Sequence, residues 1–317
     1  MITSDINKVK TALIEGDIIA LPTETVYGLA ANIFQDSAVE KIFKIKKRPA
    51  YNPLIVHISS SIILEHVAKK IPSKAQELAN AFWPGPLTLV LEKQDQIPNR
   101  ITAGKSTVAI RVPNHPLALK LLNSLDFPLA APSANPFGYL SPTSAEHVAY
   151  YFKKELNFIL DGGPCSLGIE STIIGFENER PVLYRHGAIA LEEIEKVIGP
   201  IQVKNKSNNK PSAPGMLCRH YAPKTKIQIT DDISQVIKLN SDKKIGVLSF
   251  KKFTNSNSDI HQEILSISGN LEESAKNLYA SLHRLDRMNL DLIITSFIPE
   301  KGLGKTINDR LKRAVKK

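Results

Sequence analysis

The chain has 317 residues, too many for one average domain, and dividing by roughly 150 residues per domain gives two. Hydrophobic residues at 42% and charged residues at 23% exclude a disordered chain, a collagen-like repeat and a coiled coil, and two cysteines exclude a disulfide framework. The net charge of +10 lies wholly beyond residue 200: residues 1–200 hold 20 cations and 20 anions, residues 201–317 hold 21 and 11. No apolar leader or span of about 18 apolar residues is present, so the expectation is a soluble, cytoplasmic protein.

In chain order, the spacing of Ile6, Val9 and Leu13 predicts a helix closed by Gly16. Short apolar runs at 18–21, 54–58, 87–91, 108–112, 158–160, 172–176 and 182–184 predict strands between irregular helical patterns, an α/β domain with a mixed sheet over residues 1–200. Residues 201–224 combine a polar KNKSNNK run with three prolines and predict a linker. Strands at 226–229, 245–250 and 292–298, with a helix carrying Leu271, Ala275, Leu278, Leu282 and Leu285 on one face, predict a small parallel sheet within 225–317. Ile307, Leu311 and Ala314 space a last helix over 305–317, packed by one face.

Gly104-Lys105-Ser106 and Gly304-Lys305-Thr306 look like the end of a phosphate-binding loop. Asn99 and Pro299 stand where its leading glycine is needed, so both are expected to be turns. The segment LPTETVYGL (21–29) packs hydroxyls and a carboxylate into a tight turn: either Thr23 or Thr25 caps a following helix, or the hydroxyls and Tyr27 line a polar pocket at the end of the sheet. In KIKKRPAYNPL (44–54) a charge run is ordinarily a solvated helix face, but here it turns straight into an apolar strand ending at His57. That places Lys46, Arg48 and Asn52 over a strand terminus, as triphosphate recognition requires. In AAPSANPFG (130–138), before SPT (141–143), small residues let the backbone approach a ligand, against the alternative of a turn before a Thr143-capped helix. Arg111, in the strand at 108–112, needs a partner, and GIEST (168–172) and YRHG (184–187) repeat hydroxyl or cation at a strand edge. Together they favour a polar, anionic ligand. With no H-E-x-x-H, G-x-S-x-G or paired cysteine, positioning and charge neutralisation, as in nucleotidyl transfer, fit better than nucleophilic chemistry.

PTETVYGL, KIKKRP with NPL, FWPGPLT, AIRVP with APSAN, GIEST and YRHG occur in the order seen in the YrdC-like threonylcarbamoyl-AMP synthases, which the chain resembles over essentially its whole length. PSAPGM with HYAP and the final GLG-x-x-x-x-DRL-x-R-A resemble the long form of that family. The resemblance implies an open twisted α/β sheet with a mixed strand pattern as the catalytic domain at 1–200, a Pro-rich linker or lid at 201–224 and a small Rossmann-like α/β domain at 225–317. It implies a nucleotidyltransferase that joins L-threonine, bicarbonate and ATP, with Mg2+ accompanying the nucleotide and no dedicated protein metal site. The product is L-threonylcarbamoyl-AMP with pyrophosphate, and a separate transferase then carries the threonylcarbamoyl group to the tRNA adenosine beside the anticodon.

By the same resemblance Thr25, His57, Arg111, Ala131 and Ser171 contact threonine, with Arg111 on its carboxylate. Arg48, Asn52, Thr107, Ser133, Ser141, Arg185 and Tyr221 contact ATP, with Asn52 standing where a serine-like residue also occurs. Lys46, Arg48 and Arg185 supply charge stabilisation as catalytic residues, and His220-Tyr221 in the linker is the candidate lid. Two other readings are an RNA-binding module without catalytic activity and a carbamoyl-adenylate activity on carbamoyl phosphate. The first is weakened by the balanced charge of residues 1–200 and the 6% aromatic content, the second by the lack of zinc-finger cysteines. Arg310, Lys312, Arg313, Lys316 and Lys317 form a cationic tail where a weak tRNA or partner contact is looked for, against a solvated helix end favoured by its own dipole.

Overall fold

The computed structural model describes residues 1–204, 214, 221–252 and 260–315. The first part runs β1 (Ile2–Thr3), α1 (Ile6–Ile14), β2 (Ile19–Leu21), β3 (Gly28–Asn32), α2 (Asp36–Lys46), β4 (Ile55–His57), a 3-10 turn (Ser61–His66), β5 (Ala68–Lys70), α3 (Ser73–Phe82), β6 (Leu87–Lys93), α4 (Asn99–Thr102), β7 (Thr107–Arg111), α5 (Pro116–Asn123), β8 (Leu129–Ala130), α6 (Ala145–Phe152), β9 (Phe158–Leu160), β10 (Thr172–Glu177), β11 (Arg180–Arg185), α7 (Leu191–Ile198) and β12 (Gln202–Val203). Its strands form one mixed twelve-stranded sheet in the order β1-β9-β2-β3-β8-β4-β7-β6-β10-β11-β12, with β5 beside β6. The second part runs β13 (Ile227–Ile229), α8 (Ile233–Leu239), β14 (Ile245–Ser249), β15 (His261–Ile264), α9 (Leu271–Asp286), β16 (Leu292–Thr295) and α10 (Leu303–Val315). Its sheet, β13-β16-β14-β15, is parallel throughout, as the strand–helix alternation predicts. No helix among the described residues is long and apolar enough to cross a membrane.

Local chemistry sets the ends of these elements. Asp5 accepts hydrogen bonds from the Asn7 and Lys8 amides at the start of α1, and Gly16, at φ +82°, lets the chain turn after it. Three local expectations need correction. LPTETVYGL does not lead into a helix, because the Tyr27 and Leu29 amides bond the Pro142 and Pro132 carbonyls and hold the segment as β3. Ser144, not Thr143, caps α6, accepting from the His147 amide. Gly104 does turn, at φ +75°, but Gly304-Lys305-Thr306 opens α10.

The two-residue period of the central strands separates core from site. Leu54, Val56 and Ile58 around β4 and Val108, Ile110 and Val112 around β7 face one apolar cluster, while the alternate residues Pro53, Ile55, His57 and Arg111 face a cavity on the other side. The cavity therefore lies against a sheet face and not only beyond strand ends, as the sequence suggested.

The two sheets share one apolar cluster, with Val26, Leu140, Ile169 and Tyr221 packed among Leu278, Tyr279, Leu282 and Leu311. Gly168 is required at this contact: its φ is +66°, and a Cβ there would stand 2.2 Å from the Lys276 carbonyl oxygen. Where α6 meets α9, the His147 and His283 rings stack with centroids 3.9 Å apart, and His283 Nε2 lies 3.1 Å from the Ser141 carbonyl oxygen. Burial pushes His147 down to about 3, helped by His283, and burial pushes His283 down to about 4.

Both folded values lie below the ordinary histidine value, so the unfolded chain binds more protons as the medium acidifies. The stability these neutral rings permit is complete above about pH 6.5 and is lost as pH falls toward the folded values. Each should remove on the order of 2 kcal/mol between pH 7 and pH 5. Urea unfolding at the two pH values checks this, and His147→Phe should shrink the difference by its own share, on the order of 2 kcal/mol.

Candidate active site

The cavity, with its open mouth, encloses about 590 Å³ of space between the side chains that line it. Of the residues expected at a site, Thr25, Arg48, His57, Arg111, Ala131, Ser133, Ser171, Arg185 and Tyr221 line it, contributed by loops and strands far apart in sequence. Lys46, Asn52, Thr107 and Ser141 are not among its lining residues.

One end is built around Arg111, buried at the end of β7. Its Nη1 donates to Thr25 Oγ1 at 2.9 Å and its Nε to the Gly85 carbonyl at 3.2 Å. Glu24 Oε1 stands 2.6 Å from Nη2, close enough for strong charge pairing, yet neither Glu24 oxygen nor Nη2 completes a hydrogen bond, so the pair lies off the N–H axis. Arg111 is thus fixed in place by Thr25 and Gly85 while Nη2 keeps hydrogen-bonding capacity. Thr25 is fixed in turn by Thr23, whose Oγ1 lies 2.9 Å from Thr25 Oγ1 and accepts the Thr25 and Val26 amides. His57 is held neutral beside this arginine, since burial and then the Arg111 charge push it down to about 3, and its Nδ1 is buried without a partner. Tyr27, expected in the pocket, instead donates its hydroxyl to the Gly163 carbonyl at 2.8 Å and accepts the Gly162 amide.

The other end carries two guanidinium groups. Arg48 donates to the Asn52 and Pro53 carbonyls at 3.1 and 2.7 Å and pairs with no carboxylate among the described residues. Burial pushes it down to about 9. Arg185 grips Ser171 by three hydrogen bonds, from Nε and Nη2 to its carbonyl (3.1 and 2.8 Å) and from Nη2 to its hydroxyl (3.0 Å), and burial lowers it as well. Ser171 Oγ also meets Thr88 Oγ1 at 2.7 Å. Desolvated cations answered mainly by neutral oxygens favour an anion in the space between them.

The remaining expected residues have other surroundings. Lys46 is 1% exposed, with Nζ 2.5 Å from both the Ser133 and Asn135 carbonyls, and burial drives it well below the usual lysine range. It braces the turn that presents Ser133. Asn52 is fully buried, its amide without a partner beneath Arg48. Thr107 starts β7 opposite Glu92, four residues or about 13 Å of strand from Arg111. Ser141 donates to Glu170 Oε1 at 2.6 Å. His220, Cys218 and most of the proposed lid lie outside the described residues, and from that segment Pro214 and Tyr221 line the cavity.

Sequence reasoning missed Glu24, Glu170 and Arg310. Burial alone would raise Glu170, but the Arg310 and Arg185 charges and the Ser141 and Arg310 hydrogen bonds hold it below the usual carboxylate range. Arg310 is 1% exposed and Arg313 4%, both bonded to Asp309, so neither the tRNA contact nor the solvated helix end expected of the tail applies to them. Lys312 is exposed and pairs with Glu300; Lys316 and Lys317 lie outside the described residues.

A family model described as "Telomere recombination" matches residues 11–187, and one described as "Threonylcarbamoyl-AMP synthase, C-terminal domain" matches residues 189–315. The threonylcarbamoyl-AMP synthase of Pyrococcus abyssi is 44% identical over 314 residues, 95% of this chain and 91% of that protein. The Bacillus subtilis threonylcarbamoyl-AMP synthase is 42% identical over 310 residues, 95% of this chain and 90% of that protein. The crystal structure of P. abyssi Sua5 complexed with L-threonine superposes with a TM-score of 0.91 over 98% of this chain and 94% of that one, at 44% identity. Full-length HypF in its phosphate- and nucleotide-bound form gives a TM-score of 0.52 at 20% identity over 58% of this chain and 29% of that one, a likeness of fold alone.

Proposed function

Because the chain belongs to the threonylcarbamoyl-AMP synthase family, we propose that its cavity is where L-threonine, bicarbonate and ATP become L-threonylcarbamoyl-AMP and pyrophosphate, for the modification of tRNA at the adenosine next to the anticodon. The observation that carries the assignment of sites is one cavity with a braced arginine at one end and two carboxylate-poor, buried arginines at the other. Arg111 takes the threonine carboxylate, with Thr25, Ala131 and Ser171 around the amino acid. His57, too weak a base to take the amine proton, offers Nδ1 as an acceptor to the amino group.

Once the amine has lost its proton to solvent, it adds to bicarbonate with loss of water, or to carbon dioxide with loss of a proton, and gives the carbamate. A carbamate oxygen then attacks the α-phosphate and pyrophosphate leaves. Arg48 and Arg185 meet the charge that gathers on the phosphate oxygens, Ser133 and Tyr221 frame the nucleotide, and Lys46 acts by holding the Ser133 carbonyl. Magnesium brought in with the nucleotide would supply further charge neutralisation; Glu24 is paired with Arg111 and Glu170 with Arg310, so neither carboxylate of the cavity wall is placed to hold it. The product passes in the cytoplasm to a threonylcarbamoyl transferase acting on tRNA.

Pyrophosphate release from ATP, with threonine and bicarbonate omitted in turn, tests the reading. Release should require both, and release indifferent to threonine would refute it.

A further inference from the structure

The wall of the cavity that carries Arg185 is braced from the other sheet. Glu170 Oε1 accepts from Ser141, and its Oε2 accepts from Tyr279 of α9 at 3.0 Å and from Arg310 Nε of α10 at 2.9 Å. Arg310 further donates Nη2 to the His186 carbonyl at 2.7 Å and Nη1 to Asp309 at 2.6 Å, and its guanidinium lies 4.6 Å from the centroid of the Tyr221 ring. Thr306, one turn earlier on α10, donates to the Gly187 carbonyl at 2.9 Å. Residues on both sides of Arg185 in space, Glu170 and Tyr221, and the two that follow it in sequence, are thus gripped by one helix of the second sheet.

The charge pattern gives the grip a purpose. Glu170 lines the cavity within the field of Arg185, where an unneutralised carboxylate would repel a triphosphate and draw Arg185 to itself. Arg310 occupies that carboxylate and leaves Arg185 to the ligand.

We infer that Arg310 is a positioning residue for the nucleotide end of the site: by neutralising Glu170 and seating Tyr221 it makes the second sheet a part of ATP binding, while the threonine end, built around Arg111, meets it only through Ser171. The inference rests on the synthase reading for the identity of the ligand.

Titration calorimetry with ATP–magnesium and, separately, with L-threonine tests it on the full chain. Arg310→Met should raise the ATP Kd at least about tenfold and leave the threonine Kd within about twofold. Adding Glu170→Gln should lower the ATP Kd of Arg310→Met by about threefold or more, since the charge that Arg310 covers is then gone, and leave only the share that comes from seating Tyr221. A purely structural arginine would give no such rescue. Should Arg310→Met lose its cooperative melt, Arg310→Lys with and without Glu170→Gln makes the same comparison, in the same direction and smaller. Unchanged ATP binding in Arg310→Met, equal losses for both ligands, or a double variant no better than the single would overturn the inference. A parent chain that binds both ligands yet releases no pyrophosphate overturns the synthase reading instead and leaves the Kd comparison intact.

Discussion

Arg111→Met is expected to lower kcat/KM for threonine by about 10²–10³-fold while the KM for ATP stays within about twofold, because truncating one member of a buried, hydrogen-bonded charge set removes about 2–5 kcal/mol. The loss has two parts. Threonine loses the cation for its carboxylate, and Glu24, buried and 2.6 Å from where Nη2 stood, turns from a partner into a repelling charge. The same orphaned carboxylate should destabilise the ligand-free fold by on the order of 3–5 kcal/mol. Glu24→Gln in the same chain separates the parts: thermal stability should recover largely, and threonine binding only in part. Steady-state kinetics with each substrate varied, beside thermal melts, measure both. A variant that keeps its threonine KM would remove Arg111 from the site.

Why Arg111 was legible and Arg310 was not is a matter of background. Along 108–112 a cation stands in an apolar run of period two, so whichever face it takes, it is alone there and needs a partner. Arg310 stands among Lys312, Arg313, Lys316 and Lys317, and such a run reads as solvated. Yet α10 buries Ile307, Leu311 and Ala314, and at 3.6 residues per turn Arg310 and Arg313 border that stripe, where Asp309 and Glu170 receive them. The acidic partners come from the adjacent residue and from a loop 140 positions earlier, and the second is invisible to any local pattern. The run at 44–48 failed more narrowly. It pointed to a site, but α2 ends in a left-handed Lys47 that sends Lys46 inward to two carbonyls and only Arg48 to the cavity. Seven strands of the large sheet were legible because their apolar runs are short and bounded, whereas β1, β3, β5, β8 and β12 were not. That the cavity lies on a sheet face depends on which alternate residues meet a helix layer, a fact of assembly.

Arg48→Met should weaken ATP binding strongly and leave the stability of the ligand-free chain nearly unchanged. Arg48 is buried and held down at about 9 from the ordinary guanidinium value of 12.5, a difference equivalent to on the order of 4–5 kcal/mol of unfavourable desolvation below pH 9. Against that, its removal leaves the buried Asn52 and Pro53 carbonyls without a donor, at about 1–3 kcal/mol each. The two terms are of similar size, so methionine, similar in length and apolar, should leave the ligand-free chain about as stable as the parent, its midpoint within about 3 °C. ATP binding should fall by about 10²-fold, the usual worth of a charge-assisted contact to phosphate in a dry site. Melting with and without ATP at about 100 times the parental Kd reads both at once: the parent should gain about 2.7 kcal/mol of ligand stabilisation and the variant almost none. If Arg48→Met lowered the ligand-free midpoint while ATP still stabilised it fully, the arginine would be a structural clamp on the 52–53 turn. The expected pattern makes Arg48 a group whose desolvation costs the empty fold stability and whose charge the triphosphate answers.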